Sequence, residues 1–325
     1  MDKRDPAMER IREEIIGLKK SLQNIRRRLK LEKRGNARKY MLDEISELNE
    51  RLAWALLDAG EFDKGLSIYQ SLSWKTHGEV KYNGISRALI EMEYYDDAAR
   101  ILAKGLKRFP CSDCLLVAMG LLHKRLGHDL DALKYFKQAL KYSPCDRHAL
   151  YDKAITLSEL GYYEDSLSIM KKLIKKYPDD AEYLIETGFC HSMMGYPEKA
   201  IEYYKKASDT GSLSTCIYGG ITISYMEMGL KREALETALE GMKVFPDKAS
   251  MYENLGEAYF EYGWIDEARA TLQEGLKKFP DDEGIKKILD RIEEDENDPD
   301  KGRKPTIGSM LIMLALIMKK LGKKS

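Results

Sequence analysis

"GYYEDSLSIMKKLIKKYPDDAEYLIETGFCHSMMGYPEKA", residues 161–200, repeats its own punctuation: Gly161 returns as Gly195, and Ser166 as Ala200, each 34 residues later. The same period runs outward in both directions. Pro110, Pro144, Pro178, Pro246 and Pro280 stand on one grid, with Ser212 at its vacant point; these are five of only nine prolines. A second column holds Gly127, Gly161, Gly195, Gly229 and Gly263, and a third Ala98, Ala132, Ser166, Ala200, Ala234 and Ala268. Small residues fill a fourth: Ser86, Gly120, Ala154, Gly188, Thr222 and Gly256. Columns held in register this long identify a repeat array.

A helix pair explains each column. The glycine closes a first helix in the left-handed conformation. The proline ends a second helix, because its ring blocks continuation. Pro197 falls in the first turn of a second helix, where proline is tolerated. Small residues such as Gly188 and Ala200 let the paired backbones approach, and Leu184 and Tyr204 fill the space around them. One pair cannot bury its own apolar face, so the pairs must stack into an all-α chain.

Composition sets further limits. Lys+Arg and Asp+Glu balance at 54 each in 325 residues, which excludes a whole-chain attraction to nucleic acid or anionic membrane. The opening "MDKRDPAMER" lacks the apolar stretch of a secretory signal, so a cytoplasmic location is expected. Five cysteines fit reduced thiols rather than a disulfide framework.

The last repeat, with Tyr252, Leu255, Gly256, Tyr259, Ala268, Leu272 and Pro280, closely resembles the tetratricopeptide signature. Repeats start at Glu79, Asp113, Arg147, Ala181, Thr215 and Ala249, and a shorter one starts at Ser46. The resemblance spans 46–282 and implies a right-handed superhelical solenoid of about seven antiparallel helix pairs. It also implies that two columns of the first helices face a concave groove. These are Asn83 and Arg87, Val117 and Leu121, Tyr151 and Ile155, Ile185 and Phe189, Gly219 and Ile223, and Glu253 and Glu257. The groove then reads apolar at its middle, basic at one end and acidic at the other, and suits an apolar or amphipathic peptide. The competing reading is that these side chains pack between neighbouring helices. Chaperone-binding members of the family clamp a C-terminal carboxylate with lysine, arginine and asparagine, and the central columns carry none of these.

Cys111, Cys114, Cys145 and His148 spell the ligand set of a small zinc site, which makes a metal- or redox-responsive module one alternative. The geometry argues against it. Equivalent points on stacked helices lie about 8–10 Å apart, whereas zinc ligands stand within about 4 Å of one another. Asp179, Asp247 and Asp281 occupy the column of Cys111 and Cys145, which reads as a helix-capping slot. His123 and His191 share a column with Tyr225 and Tyr259 and read as packed rings. Phosphate-binding, zinc-protease and nucleophile-elbow motifs are all missing, so no catalysis, cofactor or small-molecule substrate is expected.

The ends are not repeats. Residues 1–45 carry a heptad seam, Met8, Ile11, Ile15, Leu18, Leu22, Ile25 and Leu29, which either dimerises weakly or lies along another surface. Its basic end, "RRRLKLEKRGNARK", has no interleaved aromatic, which argues against nucleic acid. Residues 283–296 read as a capping helix, 297–305 as a linker and 306–325 as an apolar tail with four lysines. The apolar run Ile307–Met318 is shorter than the roughly 20 residues of a membrane span. It would contact a membrane surface, dock in a groove or pair with the N-terminal heptads. A non-enzymatic protein-interaction scaffold, self-associating through its ends, is the expectation; a membrane-peripheral assembly factor tethered through 307–324 is the other alternative.

Overall fold

In the computed structural model, which describes residues 6–73 and 78–297, sixteen helices and no strand form among the described residues. The repeats supply α4 (Gly78–Glu91) to α15 (Ile265–Lys278). Their first helices are α4, α6 (Asp113–Arg125), α8 (Arg147–Glu159), α10 (Ala181–Met193), α12 (Thr215–Glu227) and α14 (Ala249–Glu261). Their second helices are α5 (Tyr95–Arg108), α7 (Asp129–Tyr142), α9 (Tyr163–Lys176), α11 (Pro197–Asp209), α13 (Lys231–Val244) and α15. Five first helices start at the expected residue, and α4 starts one earlier. Before them lie α1 (Pro6–Leu31), α2 (Gly35–Asp58) and α3 (Phe62–Ser71), and α16 (Glu283–Asn297) follows.

The glycine column closes the first helices through a paired hydrogen bond. After α6, the Gly127 N–H donates to the Lys124 carbonyl at 3.0 Å and the His128 N–H to the His123 carbonyl at 2.8 Å. Gly127 has φ +74°, the left-handed value this turn requires. The same two bonds follow α4, where the Glu93 N–H donates to Ile90 and the Tyr94 N–H to Leu89. There a glutamate holds φ +63° at the grid point of the glycines.

The capping slot sits one residue beyond its expected place. Leu115 N–H donates to Ser112 Oγ at 3.2 Å, Ala149 N–H to Asp146 Oδ1 at 2.8 Å, and Ile285 N–H to Asp282 Oδ1 at 2.9 Å. Cys111, Cys145 and Asp281 precede these caps. The reason is geometric: a cap acceptor must be followed directly by helical backbone.

Two compact units divide the chain, residues 1–156 and 157–325. In the first, Ile15, Leu18 and Leu22 of α1 are buried against Leu52, Ala55 and Leu56 of α2. The heptad seam is therefore used inside the chain and is not presented for a coiled-coil dimer. Lys81 is buried, and its Nζ donates to the Leu72 carbonyl at 2.7 Å, closing the short α3. Phe136 of α7 is fully buried against Gly120 of α6, where a Cβ would lie 2.5 Å from its ring. In the second unit, Tyr204 of α11 meets Gly188 of α10, and Leu272 of α15 meets Gly256 of α14. Its end is closed by α16, which buries Ile285, Ile288 and Ile292.

Two stability changes follow from these contacts. Left-handed backbone costs a side-chain-bearing residue about 1–2 kcal/mol, and glycine's extra chain entropy returns part of that. Glu93→Gly should therefore stabilise the chain by about 0.5–1 kcal/mol in urea unfolding, and Gly127→Ala should destabilise it by about 1 kcal/mol. Gly120→Val forces atoms into the Phe136 ring and should cost about 1–3 kcal/mol in the same measurement.

Candidate functional site

Within residues 1–156, first helices one repeat apart leave a cleft of about 490 Å³. Its floor is apolar: Val117, Ala118 and Leu121 on α6, with Ile90 on α4. Asn83, Arg87 and Glu91 line it from α4, Trp54 and Asp58 from α2, and Cys114 and Arg125 from α6. Asp146, His148 and Asp152 complete the lining. The pattern arises because residues four apart share one helix face.

Two ion pairs cross this lining. Arg87 Nη2 lies 2.7 Å from Asp58 Oδ1, and the same guanidinium sits 4.2 Å over the Trp54 ring. Arg125 Nη2 grips both oxygens of Glu91 at 3.1 and 3.0 Å. The expected basic end of the groove is thus neutralised by its own neighbour. Asp58, Glu91, Asp146 and Asp152 make four carboxylates in the lining, against two guanidiniums.

Of the expected groove residues, Asn83, Arg87, Val117 and Leu121 come together in this cleft. Tyr151 and Ile155 lie half-buried on α8. In residues 157–325, Ile185 is half-buried on α10, while Phe189 is 38% exposed and Ile223 of α12 46% exposed. The acidic end is covered. Arg291 of α16 reaches Glu257 at 2.8 and 3.0 Å and Glu261 at 3.3 Å. Gly284 of α16 lies against the Glu253 carboxyl, and burial raises the pKa of that acid, with Asp282 adding to the effect. Glu253 and Glu257 thus face the capping helix, because its apolar seam has to be buried on α14. Trp54, Asp58, Glu91 and Arg125 were missed. Glu91 and Arg125 are opposite charges 34 residues apart, and Trp54 precedes Arg87 by the 33 residues of the shorter repeat. Both signals are visible once the columns are read one repeat further back.

The cysteine and histidine set does not assemble. Among the described residues, the groups of three or more potential ligand atoms within 4.8 Å are His123, His128 and Asp131, and Glu79, Asp113 and Cys114. Cys111 and Cys145 are exposed at the repeat junctions, and His148 is an exposed ring beside Arg147. Cys114 Sγ lies 3.2 Å from Ser112 Oγ and 3.5 Å from Glu79 Oε1. Burial pushes its pKa up to about 11, so it is a protonated thiol rather than a redox nucleophile. His123 and His191 do pack as rings, stacked on Tyr135 at 5.1 Å and on Tyr203 at 5.4 Å. The C-terminal tail, 306–325, lies outside the described residues. Among those described, no helix is long and apolar enough to cross a membrane.

Comparisons with known proteins agree with this architecture. Two tetratricopeptide repeat family models match the chain, one over residues 130–184 and the other over 223–283. The fold is similar to a chain of the APC/C hetero-tetramer Cut9–Hcn1, with a TM-score of 0.64 and 15% identity over 79% of this chain and 51% of that one. This chain therefore spans about half the length of that relative. It is also similar to a tetratricopeptide repeat protein from Parabacteroides merdae (TM-score 0.60, 14% identity, 76% of this chain and 98% of that one). PilF of Pseudomonas aeruginosa gives a TM-score of 0.54 at 14% identity, over 67% of this chain and 100% of that one. No curated protein matches the sequence.

The thiols give a direct check on burial. Cys111, Cys145 and Cys216 are exposed, whereas Cys114 and the buried Cys190 have pKa values pushed up to about 11 and about 12. With a chromogenic disulfide at pH 8, three thiols should react in a fast phase. Cys114 and Cys190 should follow only after denaturant is added.

Proposed function

We propose that this chain, which carries tetratricopeptide repeats, is a non-enzymatic interaction scaffold whose cleft at Asn83, Arg87, Val117 and Leu121 takes an apolar segment with a basic flank. The observation that carries the reading is the lining itself: an apolar floor lying between two ion pairs that are already satisfied. A ligand carboxylate gains little there, because both guanidiniums have partners. A lysine or arginine gains more, because carboxylates outnumber cations in the lining. Burying a leucine- or valine-sized ligand side chain on Val117 and Leu121 contributes about 1.5–3 kcal/mol. Phe189 and Ile223, exposed one repeat apart on α10 and α12, offer a second apolar surface.

The chain's own C-terminus has the required chemistry, with Ile307–Met318 followed by Lys319, Lys320, Lys323 and Lys324. In this reading the tail of one copy seats in the cleft of another, and self-association results. The rival is a membrane-peripheral scaffold, in which the tail meets anionic headgroups instead.

Light-scattering mass separates the two readings. The full-length chain should assemble without lipid, and a chain ending at residue 303 should be monomeric. Leu121→Glu with the tail intact should also be monomeric at the same concentration. Assembly unchanged by Leu121→Glu would remove the cleft from the account. A monomer that joins anionic liposomes only when its tail is present would establish the membrane reading.

A further inference from the structure

We propose that His123, His128 and Asp131 form a binding site for a zinc-class divalent transition ion across the turn between α6 and α7. One ligand atom from each residue lies within 4.8 Å of the other two. Two imidazoles and a carboxylate are a borderline donor set that suits Zn²⁺ and its neighbours, leaving an open position for water. Ligands of a tetrahedral ion at about 2.0–2.1 Å stand about 3.3 Å apart. Binding therefore requires the three side chains to draw together from that separation.

The backbone prearranges the three residues. The His128 N–H is fixed on the His123 carbonyl at 2.8 Å, and the Asp131 N–H on the His128 carbonyl at 3.0 Å. The His123 ring is held against Tyr135 by a stack with an interplanar angle of 21°. The His128 ring stands 5.9 Å from that of His123 and is exposed, so an ion can arrive from solvent. His123 Nδ1 is buried with no hydrogen-bond partner, as is Nδ1 of His191, which stacks on Tyr203 in the same way two repeats later, so that feature belongs to the ring packing and the assignment rests on the three-residue cluster.

The repeat pattern indicates that the set is not needed for folding. At the His123 column the later repeats carry Leu157, His191, Tyr225 and Tyr259; at the His128 column they carry Tyr162, Tyr196, Leu230 and Trp264. Two imidazoles and an acid coincide in this turn alone among them. A local competitor is Lys134, which pairs with Asp131 at 2.8 Å. Both partners are exposed, and such pairs are weak enough for an ion to displace. The other cluster is already internally satisfied: Ser143 donates to Asp113, and Cys114 keeps its proton beside Glu79.

Titrating tag-free full-length chain with Co²⁺ tests the site. We expect one equivalent to bind with weak visible d–d bands, no intense near-ultraviolet thiolate charge transfer, and displacement by Zn²⁺. His128→Ala and Asp131→Asn, both at the turn's surface, should each weaken binding more than about tenfold with unchanged helical circular dichroism. A Cys111→Ala/Cys145→Ala chain should bind as the parent does. Thiolate charge transfer, binding unaffected by His128→Ala, or no saturable binding would each overturn the assignment.

Discussion

Everything in the fold depends on how closely the two helices of a repeat approach. Gly120 against Phe136, Gly188 against Tyr204 and Gly256 against Leu272 are the same contact made three times. A larger side chain on the small member would press on the ring or branch opposite, and Ser86, Ala154 and Thr222 keep the same column small in the other repeats, so helix spacing is held close by small residues at this position. That spacing repeats every 34 residues, and so every other column falls into register. The left-handed turn between the helices then aims the second helix back along the first.

The constraint also accounts for where the charges lie. First helices one repeat apart present equivalent positions to each other, so opposite signs in a column become ion pairs. Glu91 with Arg125 is such a pair, and Arg291 with Glu257 repeats it at the other end of the chain. Exposed pairs of this kind are worth only about 0–1 kcal/mol each. Their larger consequence is chemical, because they occupy both guanidiniums of the cleft lining. Arg291 also closes the array: α16 uses it to cover acids that would otherwise face solvent.

Much of this is legible in the sequence. Pro110, Pro178 and Pro246 mark helix ends, and Gly127 and Gly161 mark turns, because backbone geometry depends mainly on the residue in place. The capping slot was misplaced by one residue, since Asp179 and Asp180 are adjacent acids and only hydrogen-bond geometry separates them. The heptad seam of α1 was read correctly as an apolar face, but a one-dimensional pattern does not say which surface covers it. Leu52, Ala55 and Leu56 of α2 do.

By itself, the sequence determined the period, the helix boundaries and the all-α class. These follow from local sterics and from apolar periodicity, which are properties of neighbouring residues. Only the tertiary structure decided that Arg87 is neutralised by Asp58, that Glu257 belongs to α16, and that Cys111, Cys114, Cys145 and His148 stay apart while His123, His128 and Asp131 meet. Those outcomes depend on distances of a few ångströms between side chains of different helices, and they change when a residue moves one position around a helix.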